Sequence, residues 1–174
     1  MPQTIQFATI PNTQTIAYSQ TLALLLGEVK RSRPDQKTFR EFLRMRNLFD
    51  KEALPVLLDF LDLRGGERSG EAMVLGPFAQ KLFDADNDDT TKALLAKRLV
   101  DLNPLLAKYC IEAMDTEHGG RLHSTNELYR MITSYVYPGE KPTLGAFKAW
   151  VDWAVASGIL RLVGIRWALA EKGI

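Results

Sequence analysis

One phrase of this chain is stated twice, and that repetition constrains the fold more than any other feature. The segment Leu57-Leu58-Asp59-Phe60-Leu61-Asp62-Leu63, a glycine-rich turn and then Ala72-Met73-Val74-Leu75-Gly76-Pro77 is echoed about 94 residues later. The echo is Trp150-Val151-Asp152-Trp153-Ala154-Val155, Ser157-Gly158 and Trp167-Ala168-Leu169-Ala170-Glu171-Lys172-Gly173. Each copy reads as a helix, a glycine stop, a short β-ribbon and the start of another helix. Two such phrases imply two units of one architecture.

A chain of 174 residues, 46% apolar and with one cysteine, has material for two modest cores and none for a disulfide framework. No basic residue precedes Lys30, and the apolar run Leu22-Ala23-Leu24-Leu25-Leu26 is too short to span a bilayer or to serve as a signal peptide. The expectation is an untargeted, soluble, cytoplasmic protein without membrane contact. A net charge of +1 argues against an evenly basic coat, so the distribution of charge matters more than its sum.

Residues 1–19, rich in Thr, Gln, Ile and Asn, show no helical period and read as an N-terminal arm. Unit one, 20–84, begins with a helix striped by Leu22, Leu25, Leu26 and Val29 and stopped by Pro34. Asp35 caps a second helix with Phe39, Phe42 and Leu43 inward. Asp50 caps a third, ending near Leu63 at Gly65-Gly66, with Pro55 inside its first turn. Gly65-Gly66-Glu67-Arg68-Ser69-Gly70 is turn chemistry, Met73-Val74-Leu75 returns as a strand, and Pro77 opens a closing helix. Residues 85–90 form a short acidic linker, and 91–174 make up unit two. There Asn103-Pro104 starts a helix, Ser124 and Glu127 stand at capping-box spacing, and Thr143 caps a helix stopped by Ser157-Gly158. Two strands about Gly164 close the unit. The second copy stops at Lys172-Gly173-Ile174, where the first runs on into a helix, so unit two is either naturally shorter or continues in a longer chain.

In element order, and in the phrases Met73-Val74-Leu75-Gly76-Pro77 and Trp167-Ala168-Leu169-Ala170-Glu171-Lys172-Gly173, residues 20–174 resemble the winged helix-turn-helix superfamily, in tandem. The resemblance implies a mainly α fold with short β-ribbons. It also implies one of two uses: DNA binding through third helix and wing, or protein docking of the kind seen in the winged-helix partners of kleisins. Fold alone does not choose between them.

Stepping residues at 100° along each third helix puts Leu144, Phe147, Val151, Ala154 and Val155 inward in unit two. Gly145, Ala146, Ala149, Asp152, Trp153 and Ala156 then face out, with Lys148 at the edge. In unit one, Leu54, Leu57, Leu58 and Leu61 face inward, with Glu52, Val56, Asp59, Phe60 and Leu63 outward. Faces so apolar and acidic cannot read base edges between phosphates. They predict protein contact through Val56, Phe60, Leu63, Ala149 and Trp153, or else cover by other parts of the chain. The basic run lies elsewhere. Residues 30–46 hold seven cations, Lys30, Arg31, Arg33, Lys37, Arg40, Arg44 and Arg46, against Asp35 and Glu41. Lys37, Arg40 and Arg44 share one helical face and suit a phosphate backbone, or else a solvated surface. Arg64, Arg68, Lys141, Lys148, Arg161 and Arg166 are further candidate contacts.

Catalytic and metal chemistry is not legible. Asp84, Asp86 and Asp88 begin like a calcium loop, but Asp89 stands where glycine is needed and Leu95 where the closing glutamate belongs. Cys110, His118 and His123 lack a fourth ligand for structural zinc. The turn at 65–70 lacks the Gly-Lys-Ser/Thr ending of a phosphate loop. The sequence therefore predicts a protein that is not an enzyme, with no cofactor, metal or small-molecule substrate. The leading expectation is a docking module in a DNA-associated assembly, engaging a protein partner or a second copy, with auxiliary backbone contact from the basic helix. The alternative is a dimeric, direct DNA-binding regulator.

Overall fold

The structure is a computed structural model describing residues 18–48, 51, 54–137, 142–163 and 166–169. Among these the chain is mainly helical, in the order α1 (Tyr18–Ser32), α2 (Gln36–Met45), α3 (Leu54–Phe60), β1 (Leu63–Gly65), β2 (Met73–Leu75), α4 (Pro77–Asp84), α5 (Asp88–Leu102), α6 (Pro104–Met114), α7 (Thr125–Tyr135), α8 (Leu144–Ala156), β3 (Leu160–Val163) and β4 (Arg166–Leu169). A 3-10 turn, Thr116–His118, separates α6 from α7. The expected arm at 1–17, the Asp50 cap, Glu52 and the loop at 138–141 lie outside the described residues. The chain divides into two compact units between Thr91 and Lys92, inside α5.

In the N-terminal unit, α1 packs against α4 and β2, and α3 against β1. The α1 stripe of Leu22, Leu25, Leu26 and Val29 is buried. Asp35 caps α2, accepting from the Thr38 N–H at 2.7 Å, and Phe39, Phe42 and Leu43 turn inward with the two rings stacked 5.9 Å apart. Fully burying a side chain of this kind contributes about 1.5–3 kcal/mol, which leaves the opposite, basic face of α2 free to stay in water.

The third helix ends earlier than its apolar pattern predicts. α3 stops at Phe60, and Asp62 turns the chain with φ +60. Leu63, Arg64 and Gly65 then pair with Leu75, Val74 and Met73 as an antiparallel ribbon, so Gly65 belongs to a strand rather than to a helix stop. The Asp62 carboxylate holds this junction, accepting from the Arg64 Nε–H at 2.8 Å and from the Phe78 N–H at 3.0 Å. The latter satisfies an orphan donor in the first turn of α4, whose N-cap, Gly76, has no side chain to offer. A Cβ on Gly76 would collide with that carboxylate.

Of the stretch 85–90 expected as an acidic linker, only 85–87 separate α4 from α5, and the division of the units falls beyond them. Asp88 and Asp89 lie in the first turn of α5, where negative charge complements the helix dipole, and Asn87 Oδ1 accepts from the Thr90 N–H at 2.8 Å.

In the C-terminal unit, Pro104 starts α6 behind Asn103, Ser124 and Glu127 form the reciprocal capping box of α7, and Thr143 caps α8 through the Ala146 N–H. α7 packs against α6 and α8, while β3 packs on α8 and β4 on α6. The β3–β4 ribbon pairs Leu160 with Leu169 and Val163 with Arg166.

Candidate functional site

The predicted outward faces of the third helices are turned inward. Phe60 and Trp153 are each 1% exposed, and Leu63 and Ala149 are also buried; Val56 is half-buried. Docking through Phe60 and Trp153 as open surfaces is thereby corrected. The reasons differ between the two helices. In α3 Phe60, the last helical residue, is buried along with Leu54, Leu57 and Leu58, so the covered arc extends past the predicted stripe, and Leu63, beyond the helix end, follows the pleat of β1 with its side chain inward. In α8 the buried arc is far wider than one stripe, taking in Phe147, Ala149, Trp150, Val151, Trp153 and Ala154. Only Gly145, Lys148, Asp152 and Val155 form its exposed edge, so Val155, assigned to the core, faces out. Large exposed apolar side chains occur instead at Leu105 and Tyr135, beside a 240 Å³ hollow shared with Lys108, Tyr109, Glu112 and Val136. Lys108 there lies 4.0 Å from Glu112, which leaves that surface without net charge.

The basic face of α2 does assemble with the ribbon. Lys37, Arg40 and Arg44, all exposed, line a cleft of 430 Å³ together with Arg68 and Ser69 from the β1–β2 turn and with Asp35, Glu41, Gly66 and Glu67. Backbone hydrogen bonds bring these segments together. The Gln36 N–H donates to Gly66 O at 2.8 Å, the Met73 N–H donates to Pro34 O at 2.8 Å, and Gln36 Nε2 donates to Gly65 O at 3.1 Å. Gly66 adopts φ +77, and a Cβ there would strike Met73 and crowd the Gln36 amide, so the close approach of ribbon to helix needs glycine.

Not every predicted cation joins this cleft. Lys30 donates to Gln80 Oε1 at 3.1 Å, and Arg33 stands in the turn after α1 with φ +43. Arg46 lies 3.8 Å over the Phe42 ring, a cation–π contact away from the Lys37–Arg44 face. Arg64, tied to Asp62, lines a neighbouring groove of 650 Å³ with Arg40, Lys51, Asp59, Glu67 and the apolar side chains Leu54, Pro55, Leu58 and Leu63. Arg40 and Glu67 border both concavities. Lys148 is exposed on α8. Lys141 and the side chains of Arg161 and Arg166 lie outside the described residues. Sequence reasoning missed Lys51, Ser69 and the junction of Asp35 with the turn. The glycines at 66 and 70 carried a signal of that junction, since both have positive φ.

Carboxylates temper the cleft. Glu41 pairs with Arg44 at 2.5 Å, an exposed bridge of the kind worth about 0–1 kcal/mol, and Glu67 is exposed. Asp35 has both oxygens occupied, by the Thr38 N–H and by the Gly70 N–H at 2.9 Å. The Gly70 and Thr38 amides hold its carboxyl well below the ordinary 3.8, at about 2. It remains ionised and is already solvated by protein donors, so it adds little to the demand on the neighbouring cations.

The residues considered for zinc do not come together as one set. Cys110 is buried, and burial pushes its thiol up to about 12, which makes a poor ligand or nucleophile. His123 is buried with Nε2 3.3 Å from Ala113 O. Exposed His118 sits 2.8 Å from Asp115, which raises the imidazole and lowers the carboxyl. With Glu117 these two form the acid–imidazole cluster found among the described residues, and the His118–Asp115 bond accounts for their approach. No described helix is long and apolar enough to cross a membrane.

Compared with protein-family models, curated proteins and solved structures, the chain matches none.

Proposed function

We propose that the N-terminal unit is a winged-helix module that grips a nucleic-acid backbone, as in a DNA-binding regulator, and that the C-terminal unit is a second module of the same architecture. The order helix, helix, helix, ribbon in 18–75, and of α6, α7, α8 and a ribbon in 104–169, supports the tandem reading. The observation that carries the function is the convergence of Lys37, Arg40 and Arg44 on one helix with Arg68 on the ribbon turn around a single open cleft. Cations so placed neutralise phosphates without reading sequence.

Four phosphate contacts correspond to a salt slope of about −3.6 in log K against log salt, a loss on the order of a hundredfold between about 50 and 200 mM. Anisotropy of a labelled duplex across that range tests this. Salt-dependent binding that disappears in Arg40→Glu/Arg44→Glu is expected. Binding that survives that double substitution would show that the cleft is not the site.

A further inference from the structure

Among the contacts joining α2 to the ribbon, one is made by a side chain that also serves the helix. Asp35 Oδ1 accepts from the Thr38 N–H at 2.7 Å and completes the N-cap of α2, while Oδ2 accepts from the Gly70 N–H at 2.9 Å, 35 residues away. Gly70 sits in the tip of the ribbon turn with φ +79. That tip is closed on itself by the Glu71 N–H donating to Arg68 O at 3.0 Å and by the Arg68 N–H donating to Glu71 Oε2 at 3.3 Å. Whatever fixes Gly70 therefore fixes the backbone at Arg68, from which its side chain reaches the cleft.

We propose that Asp35 is the positioning residue of the backbone-binding cleft, clamping the ribbon tip so that Arg68 stands beside Lys37, Arg40 and Arg44 before any ligand arrives. The inference rests on the nucleic-acid reading of that cleft. Here the two N–H donors meet different oxygens, Oδ1 and Oδ2, so the isosteric amide of Asn sets an NH2 group against one of them. The amide of Asn or the hydroxyl of Ser provides one oxygen, which the adjacent helix start claims, because both residues are good N-caps. Gly70 then loses its acceptor. Such preorganisation favours binding by removing the ordering of a mobile arm from the cost of association.

A carboxylate in a phosphate-binding cleft invites the opposite expectation, in which Asp35 acts only through its charge and repels the ligand. The two accounts predict opposite signs. If Asp35 only repels, Asp35→Asn tightens binding. As a clamp, Asp35→Asn and Asp35→Ser weaken it roughly three- to tenfold at about 50 mM salt and make the salt slope shallower by about 0.9, one phosphate contact.

The experiment uses the full chain and a labelled duplex across a salt series, with Asp35→Asn, Asp35→Ser, Arg68→Ala and Asp35→Asn/Arg68→Ala. The expected result is that both Asp35 variants still unfold cooperatively, somewhat below the parent, and match Arg68→Ala in slope, and that the double variant binds no more weakly than Arg68→Ala. Equal or tighter binding by the Asp35 variants, or losses that add in the double variant, overturns the clamp while leaving the cleft's function intact. A parent protein that binds no duplex overturns the nucleic-acid reading and Asp35's part in it. Amide exchange at Gly70 in the free protein reads the clamp separately, with faster exchange in Asp35→Asn expected and unchanged exchange overturning it.

Discussion

Two aspartates bracket the ribbon, and each ties it to a helix start. Asp35 joins the cap of α2 to the turn at Gly70, and Asp62 joins the root of the ribbon to the first turn of α4. Asp35 was legible in sequence as a cap, from its place after Pro34 and before a basic amphipathic stretch. Its second bond was not, since no local pattern says which distant amide a free lone pair will meet. The pH consequence follows from the direction of its shift. Its folded-state value, about 2, lies below the ordinary 3.8, so the contribution of the carboxylate is present above about pH 4 and is lost as pH falls towards 2. Raising the pH leaves it untouched. Following the Asp35 carboxyl and the Gly70 amide by NMR through an acid titration should show both moving together with a midpoint near 2; a Gly70 amide that ignores this transition would deny the bond.

Among the elements, the caps at Asp35, Ser124 and Thr143 and the proline starts at Pro77 and Pro104 stand where sequence placed them, because each is a bond or a steric preference within four residues. The orientation of α3 and α8 was not legible to the same degree. A helix with apolar residues nearly all round, as α8 has, gives no single stripe from which to infer the exposed edge, and burial is then decided by what packs against it. Trp153, expected outward, is 1% exposed. Trp153→Ala should cost about 3–5 kcal/mol in chemical denaturation, and Trp153→Glu, which buries a charge, should abolish the cooperative transition. Near-parental stability in both would place Trp153 at the surface after all.

For the whole molecule, the two units differ in how they distribute charge. In the N-terminal unit Lys37, Arg40, Arg44 and Arg68 gather at one cleft. On the exposed edge of α8, Lys148 shares its face with Asp152. If the backbone-binding reading holds, affinity for duplex DNA should depend on the first unit. Arg40→Glu/Arg44→Glu should abolish binding, whereas Lys148→Glu should change it by less than about threefold, smaller than the loss of one phosphate contact. A gel-shift comparison of these variants decides it, and a larger loss in Lys148→Glu would move the interface to the second unit. Residue order by itself determined the mainly helical class, most helix starts, the two ribbons and the basic face of α2, because propensity, capping and periodicity act over a few residues. Tertiary structure alone decided where α3 stops, which faces of the third helices meet water, and that a turn containing Arg68 docks on the start of α2. Those outcomes depend on which distant surfaces compete for burial and for hydrogen-bond partners, and that competition is settled only when the chain is folded.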